Sequence, residues 1–327
     1  MSPSARILQR VAVLPRMLGR LATWGAPSRS LLFGPMSLGD DLLCTAVLRE
    51  ARLRGQPRVM FTARPELFLD NHDPLAVRAI DNHYIALLRR MGRCVDSPYY
   101  VVADPANPDC EIIPPRHVIA EMCRLCGIEG SVTLRPYLHL REEEIAAAPH
   151  MNRQIAIHST GLAAAFPYRT KEWGIERFAA LAKILAHDFS LVQLGARQDP
   201  LLPDVKLDLR GRTTLREAAA VQAASLAFVG LEGFLVHLAR AVDCPAIVIH
   251  GGRAPEGTYD YSANRNFHRL PACSPCGLRS NCIENMVCMT EISVADVARE
   301  VRILATQTRH PLPCQVVQVS AELKTSR

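Results

Sequence analysis

Short apolar runs alternate with longer amphipathic segments through the second half of the chain. The apolar runs have the length of buried strands, whereas the amphipathic segments repeat their apolar residues at helical spacing. The predicted strands are residues 154–158, 190–195, 226–230 and 246–251, and the predicted helices are residues 174–185, 215–224, 232–242 and 294–305. Strands that alternate with helices predict βαβ units, a parallel sheet and therefore the α/β class.

The first half of the chain opens in the same way, with an apolar run, a turn and a helical pattern. Its predicted strands are residues 31–34, 58–62 and 99–103, and its predicted helices are residues 41–54 and 116–125. Pro149 follows an acidic run and marks a domain boundary. We therefore predict a leader, two domains and a tail, which are residues 1–30, 31–150, 151–305 and 306–327. A chain of 327 residues with 49% hydrophobic content can bury two cores.

The leader is basic and amphipathic. Its first thirty residues hold five arginines and no acid, which are Arg6, Arg10, Arg16, Arg20 and Arg29. Apolar residues lie opposite them at helical spacing, which are Ile7, Val11, Leu14, Leu18 and Leu21. Such a face could rest on an anionic membrane surface, although Pro15 interrupts it and a disordered leader is the alternative. No apolar run is long enough to span a membrane, and no secretory signal is indicated.

A second charged feature lies where the first strand meets its helix. Gly39 permits a tight turn there, and Asp40 sits where a carboxylate could accept a proton from a substrate hydroxyl. The alternative is that Asp40 or Asp41 caps the helix, because aspartate is favoured at that position.

Two loops of the second half have the composition of an anion site. Thr160, Arg169 and Lys171 lie before a predicted helix and suit a diphosphate, unless they form a solvated basic loop. Glu232 and Gly233 precede another helix, whose amino-terminal amides can also meet phosphate. Glu232 could instead complement the helix dipole, and His237 could be a packed core histidine.

Four of the eleven cysteines lie within sixteen residues, which are Cys273, Cys276, Cys282 and Cys288. Four thiols at this spacing can converge on one tetrahedral metal ion, zinc by default and iron with the same geometry. Disulfides and free thiols packed in a loop are the alternatives. The odd cysteine count and the scattered remainder indicate a reducing compartment. Cys123 and Cys126 are expected in the core.

Six segments together resemble glycosyltransferase family nine, the ADP-heptose:lipopolysaccharide heptosyltransferases. The similarity covers about residues 31–305, and its landmarks are SLGDDLLCTAVLREAR, TKEWGIERFAALAKIL, LVQLGARQD, DLRGRTTLREAAAVQAASLAFVG, EGFLVHLARAVDCPAIVIHGG and CSPCGLRSNCIENMVCM. The resemblance implies a GT-B fold, in which two Rossmann-like domains face each other across a cleft. The acceptor domain comes first, and the nucleotide-sugar domain follows with the Cys-rich loop 273–288.

The resemblance also implies a metal-independent reaction that inverts the anomeric centre. Asp40 falls on the family's catalytic base, Lys171 on the lysine that contacts donor phosphate, and Asp199 near the acid that holds the ribose. Thr160, Arg169, Glu232, Gly233 and His237 fall in the donor loops. The sequence departs from the family at Glu232, where the usual turn has Asp followed by Ser or Thr.

The function implied by the resemblance is transfer of heptose, or a related sugar, from an ADP-sugar to a lipopolysaccharide core or another surface glycan. The expected location is the cytoplasm, with peripheral contact at the inner membrane through the leader. The first alternative is a protein acceptor, as in the related autotransporter heptosyltransferases, which are reported to carry iron. The second is a non-catalytic nucleotide-sugar-binding protein. No catalytic metal and no nucleic-acid partner are expected.

Overall fold

Two separate parallel sheets organise the chain in a computed structural model that describes residues 15, 17–24, 29–32, 37–307 and 311–320. The α/β class predicted from the alternating pattern is confirmed. In the first half the strands are β1 Arg29–Leu32, β2 Val59–Thr62, β3 Ala76–Ala79, β4 Cys94–Asp96, β5 Val102–Asp104, β6 Asn107–Ile112 and β7 Gly130–Thr133. The helices there are α1 Leu38–Leu53, α2 Asn82–Arg90, α3 Val118–Leu125 and α4 Glu142–Ala147, with a 3-10 helix at Pro65–Phe68.

The second half carries the longer sheet. Its strands are β8 Gln154–Ile157, β9 Ser190–Gln193, β10 Leu207–Asp208, β11 Ala227–Leu231, β12 Ala246–Gly251 and β13 Arg265–His268. Its helices are α5 Ile175–Leu185, α6 Leu215–Ala223, α7 Phe234–Ala241, α8 Val287–Thr290 and α9 Val294–Thr306, with a 3-10 helix at Arg169–Lys171. A last strand, β14 Val316–Val319, pairs antiparallel with β7, so the tail returns to the first half of the chain.

The strand order of the two sheets fixes where a ligand can bind. The second sheet runs β10-β9-β8-β11-β12-β13 and the first runs β3-β2-β1-β4, with every pairing parallel. In both sheets the order reverses beside the first strand, between β8 and β11 and between β1 and β4. Open parallel sheets bind ligands outside the carboxyl ends of the strands at such a reversal.

Helices cover both faces of the second sheet, which explains its continuous apolar strands. All residues of β8, β11 and β12 are buried. One core cluster joins Trp173, Phe178 and Val301 beneath the sheet. The other cluster runs without a break from Leu42 of α1 to Val236 of α7, so the two halves share apolar packing.

Several elements differ from the sequence prediction. Helix α1 begins at Leu38, three residues before the predicted start, and Ser37 holds the N-cap position. Residues 99–103 do not form a strand of the parallel sheet; β4 is three residues long and lies earlier, and β5 belongs to a separate hairpin with β6. Strands β3 and β4 were missed because both are short and only partly buried, which weakens their apolar pattern.

Part of the leader packs on the first sheet. Residues 17–24 are helical. Leu21, predicted to face a membrane, packs with Trp24 against the cluster that contains Phe61 and Tyr84, whereas Leu18 is 55% exposed. The predicted leader positions Arg6, Ile7, Arg10, Val11, Leu14 and Arg16 lie outside the described residues. Within the described ranges, no helix is long and apolar enough to cross a bilayer.

Candidate functional site

The amino-terminal ends of α1 and α7 meet at the junction of the two halves. A Cβ at Gly39 would lie 3.4 Å from Cδ2 of His237 and 3.8 Å from Cα of Phe234. Gly39 therefore does not make the tight turn predicted from the sequence, because it lies inside the first turn of α1. Gly39 lies against the start of α7, and this contact places Asp40 beside the second half of the chain.

Asp40 is a buried carboxylate at this junction, with 7% of its surface exposed. Burial raises its pKa from 3.8 to about 6, and hydrogen bonds from Tyr100 and Ser37 offset part of that increase. The Tyr100 hydroxyl donates to Oδ1 across 3.1 Å. The helix-cap alternative does not describe Asp40, since Ser37 occupies the N-cap position.

The neighbouring Asp41 has a different environment. Its Oδ2 accepts hydrogen bonds from the Thr62 hydroxyl and the Arg64 guanidinium, each across 2.9 Å. Thr62 ends β2 and Arg64 follows it, so Asp41 ties α1 to its own sheet. The two adjacent carboxylates therefore serve separate purposes, one structural and one facing the cleft.

Lys171 and Glu232 form an ion pair on the donor side. Lys171 ends the 3-10 helix Arg169–Lys171, and its Nζ lies 4.6 Å from the ring centre of Tyr168 and 5.6 Å from that of Tyr259. Burial opposes ionisation of Glu232, but Lys171 outweighs it and holds the pKa of that carboxyl below its usual value. The pair is thus charged, and two aromatic rings shield it from water.

A third pair, Arg253 with Glu111, connects the halves at the same pocket. Glu111 lies on β6 and also accepts a hydrogen bond from the Tyr168 hydroxyl across 2.7 Å. Arg253 is 2% exposed and lines the pocket with Lys171, Glu232 and Tyr259. Sequence reasoning missed Arg253, although its position after Gly251 and Gly252, where β12 ends, is the signal that could have found it.

His237 is neutral at physiological pH. Burial lowers its pKa to about 4, and its Nδ1 lies 2.7 Å from the Tyr261 hydroxyl. Gly233 is the N-cap of α7, and a Cβ there would meet no atom within 4 Å. The helix start that carries His237 therefore has open space at its first residue.

The remaining predicted donor residues lie at strand ends. Thr160 and Asp199 follow β8 and β9, and both are buried. Asp199 accepts a hydrogen bond from the Ala196 amide across 2.7 Å and lies 3.6 Å from His158 Nε2. Arg169 is exposed and does not line the pocket of Lys171 and Glu232.

The four clustered cysteines line one cavity of about 150 Å³. Thr170, Gly252 and Arg253 complete its wall, so the cavity adjoins the donor pocket. Among the described residues, no three of the four sulfurs lie within 4.8 Å of one another. Cys123 and Cys126 are buried on and just after α3, as the sequence predicted.

Comparison with known proteins gives the class. Residues 133–286 match the family model described as glycosyltransferase family 9 (heptosyltransferase). No curated protein matches the chain. Similar solved structures include a family 9 glycosyl transferase from Veillonella parvula, which has 14% identity, coverage of 85% of this chain and 97% of that one, and a TM-score of 0.62.

Two further structures come from Escherichia coli. ADP-heptose lps heptosyltransferase II shares 14% identity over 85% of this chain and 98% of its own, with a TM-score of 0.61. TibC, described as an iron-containing dodecameric glycosyltransferase from an enterotoxigenic strain, shares 14% identity over 85% of this chain and 76% of its own, with a TM-score of 0.64.

The fold of two facing Rossmann-like halves is therefore that of the GT-B glycosyltransferases, and the predicted fold class is confirmed. The chain is a glycosyltransferase. Residues 133–286 match the family 9 model, which confirms the resemblance to glycosyltransferase family nine.

The raised pKa of Asp40 predicts a stability gain on its removal. A carboxyl whose pKa is 3.8 unfolded and about 6 folded destabilises the native state as pH rises through that interval. Asp40→Asn should therefore stabilise the protein by about 2–3 kcal/mol at pH 8, with the gain vanishing near pH 3.8. Urea unfolding at both pH values measures it.

Asp208→Asn is the matched control, because hydrogen bonds from Arg210 lower the pKa of Asp208 to about 2 and its removal should destabilise the protein at pH 8. An Asp40→Asn gain of the same size at both pH values would contradict the raised pKa of Asp40.

Proposed function

We propose that this glycosyltransferase moves heptose, or a related sugar, from an ADP-sugar to a lipopolysaccharide core or another surface glycan, with inversion and with Asp40 as general base. The observation that carries the proposal is Asp40 itself. It is a buried carboxylate with its pKa raised to about 6, at the junction where an acceptor domain would meet a donor domain. The proposed acceptor domain is residues 31–150, and the proposed donor domain is residues 151–305.

The raised pKa suits the step that a hydroxyl acceptor requires. At pH 7 to 8 Asp40 is mostly ionised, yet it is a stronger base than an exposed aspartate, so it can take the hydroxyl proton during attack on the anomeric carbon. Attack from the face opposite the diphosphate inverts that carbon. The Tyr100 hydroxyl orients the carboxylate through its hydrogen bond to Oδ1.

The leaving diphosphate needs positive charge, and the donor side supplies it without a catalytic metal in this proposal. Lys171 and the amides at the start of α7 would stabilise the negative charge that grows on the diphosphate. Lys171 is held by Glu232 before the donor binds. Phosphate must therefore compete with a carboxylate for the ammonium group, and Glu232 becomes free to accept a sugar hydroxyl when phosphate succeeds.

The positions of the remaining site residues indicate which part of the sugar donor each would contact. Asp199 and Thr160 lie where β9 and β8 end, and Asp199 would hold the ribose hydroxyls while it keeps its bond from Ala196. His237, neutral and bonded to Tyr261, would contact the sugar or phosphate from α7. Exposed Arg169 would meet the donor only at the rim.

The four-cysteine cavity would hold one structural zinc or iron ion. Thiolates suit either metal, and the cavity has room for an ion. Bound there, the metal would fix the loop 273–288 beside Arg253 and would take no part in transfer. That TibC is described as iron-containing supports the proposal.

We place the enzyme in the cytoplasm, with the basic leader in peripheral contact with the inner membrane and the lipid-borne acceptor. A polypeptide acceptor is the second candidate, favoured by the four-cysteine cavity because TibC is described as iron-containing. Incubation with labelled ADP-heptose separates the two, since label in glycolipid indicates the first and label in protein the second. A non-catalytic donor-binding protein, favoured by the altered Glu232 turn, would label neither.

Removal of the base should stop transfer without removing the donor. Asp40→Ala is expected to lower turnover by roughly 10²–10⁴-fold, because the carboxylate acts on the acceptor hydroxyl, and to leave donor affinity within a few-fold. ADP release with lipopolysaccharide core as acceptor measures the first, and calorimetry with ADP-heptose the second. Turnover near that of the wild type would refute the assignment of the base.

Removal of the phosphate contact should act on both binding and turnover. Lys171→Ala is expected to weaken ADP-heptose by roughly tenfold or more while adenosine binds unchanged, since only the former carries phosphate. Because Glu232 would then be buried without its partner, the double variant Lys171→Ala/Glu232→Gln is measured beside it. Lys183→Ala, on the exposed side of α5, is the control. Equal losses for both ligands would argue against a phosphate contact.

The cysteine cavity makes a third prediction. Protein purified without added metal should hold about one equivalent of zinc plus iron at this cavity, so Cys276→Ser should contain about one equivalent less than the wild type. Cys94→Ser, at an exposed cysteine on β4, should retain the metal. Elemental analysis decides: less than about a tenth of an equivalent, together with four rapidly reactive thiols, would end the proposal.

A further inference from the structure

Two histidines and an aspartate meet at the ends of β12 and β13. His250 lies on β12, His268 ends β13, and Asp260 belongs to the loop between these strands. One donor atom from each of the three residues lies within 4.8 Å of the other two. Among the described residues, this is the one group of at least three His, Cys, Asp or Glu side chains that meets this distance.

The distances within the group resemble those of ligands around a metal. His268 Nε2 lies 2.9 Å from Asp260 Oδ2, and His250 Nε2 lies 3.3 Å from Oδ1. Two ligands at about 2.1 Å from a tetrahedral ion are roughly 3.4 Å apart, so the three atoms need little movement to receive one. The imidazole rings are stacked, with centres 4.5 Å apart and planes at 13°.

Asn266 offers a fourth metal-ligand atom, and hydrogen bonds hold both Asn266 and Asp260 in place. Asn266 Oδ1 lies 3.1 Å from His250 Nε2, and the Asn266 amide nitrogen donates to the Tyr261 carbonyl across 3.2 Å. That second bond turns the amide oxygen toward the histidine. The Gly257 amide donates to Asp260 Oδ2 across 3.1 Å and fixes the carboxylate in the same way. Hydrogen bonds of this kind orient metal ligands in established sites.

The surroundings favour a cation that prefers nitrogen. The histidine side chains are 6% and 7% exposed, and the Asp260 side chain is 17% exposed, so the group is nearly dry. Imidazole with a single carboxylate suits Zn²⁺ and similar transition ions, whereas Mg²⁺ and Ca²⁺ prefer oxygen throughout.

We propose that His250, Asp260 and His268, with Asn266 as fourth donor, bind one divalent transition-metal ion of the Zn²⁺ type. This site is separate from the four-cysteine cavity and shares no ligand with it. The loop that it would anchor, between β12 and β13, also carries Arg253 and Tyr259 of the donor pocket. A bound ion would thereby hold the wall of that pocket; this consequence, unlike the metal binding itself, rests on the proposed function.

The full-length protein, stripped of metal with a chelator and re-equilibrated with Zn²⁺ alone, tests the proposal. The wild type should retain about one equivalent more than His268→Ala or Asp260→Asn after desalting. Cys276→Ser should lose a different equivalent and keep this one. His187→Ala, an exposed histidine after α5, should match the wild type.

The absorption spectrum of bound Co²⁺ distinguishes nitrogen and oxygen ligands from thiolate ligands. The increment that His268→Ala removes should show weak visible bands without the intense near-ultraviolet absorption that thiolate ligands produce. Zn²⁺ should also raise the unfolding temperature of the wild type more than that of Asp260→Asn, which preserves the side-chain shape. Circular dichroism checks that both variants fold.

Equal Zn²⁺ content in the wild type and in a folded Asp260→Asn variant would overturn the site and leave a hydrogen-bonded His-Asp-His group. Loss of glycosyl transfer in other variants would not affect this measurement, so the failure of one proposal remains distinguishable from failure of the other.

Discussion

The close contact between α1 and α7 is the constraint on which the site depends. Each helix starts where a strand ends, and each brings its amino terminus to the junction of the two halves. The two helices lie close together there, since a Cβ at Gly39 would meet Cδ2 of His237 at the van der Waals distance of 3.4 Å. The contact sets the position of Asp40, buries it and so raises its pKa. Position and basicity of this carboxylate thus have the same origin.

Several charged side chains are buried at this junction. Their burial adds little to the stability of the fold but provides fixed charges for the reaction. Glu232 and Arg253 are ionised in a pocket from which water is largely excluded, and each persists because one partner of opposite sign faces it. Such pairs contribute little net stability. Their value lies in preorganisation, since charges already fixed in place need no rearrangement when a diphosphate arrives or departs. No described residue forms such an ion pair with Asp40, so burial raises its pKa, whereas Lys171 lowers that of Glu232.

The second sheet could be predicted from the sequence, and much of the first could not. Strands such as β12 are apolar throughout and lie between strong helical patterns, so their bounds follow from periodicity alone. Strands β3 and β4 are short and half-buried, and nothing local marks them. Within the site, Asp40 and Lys171 could be predicted because they lie in sequence segments that resemble the family. Tyr100, Glu111 and Arg253 were not, because they come together only through tertiary packing of a hairpin against a distant loop.

The packing of the β5-β6 hairpin against the Cys-rich loop forms a second contact between the two halves, apart from that of α1 with α7. The β6 strand meets the Cys-rich loop through its backbone, where the Glu111 amide donates to the Gly277 carbonyl across 3.0 Å. A Cβ at Gly277 would lie 2.4 Å from the Glu111 carbonyl oxygen, so glycine is required there. Arg253 lies between the donor pocket and the cysteine cavity and lines both. Ordering of the loop 273–288 would therefore also fix the position of Arg253. Through Glu111 it would fix the contact with the first half of the chain. The two halves consequently meet at Gly39 and at Gly277, and only at Gly277 does the contact exclude a side chain.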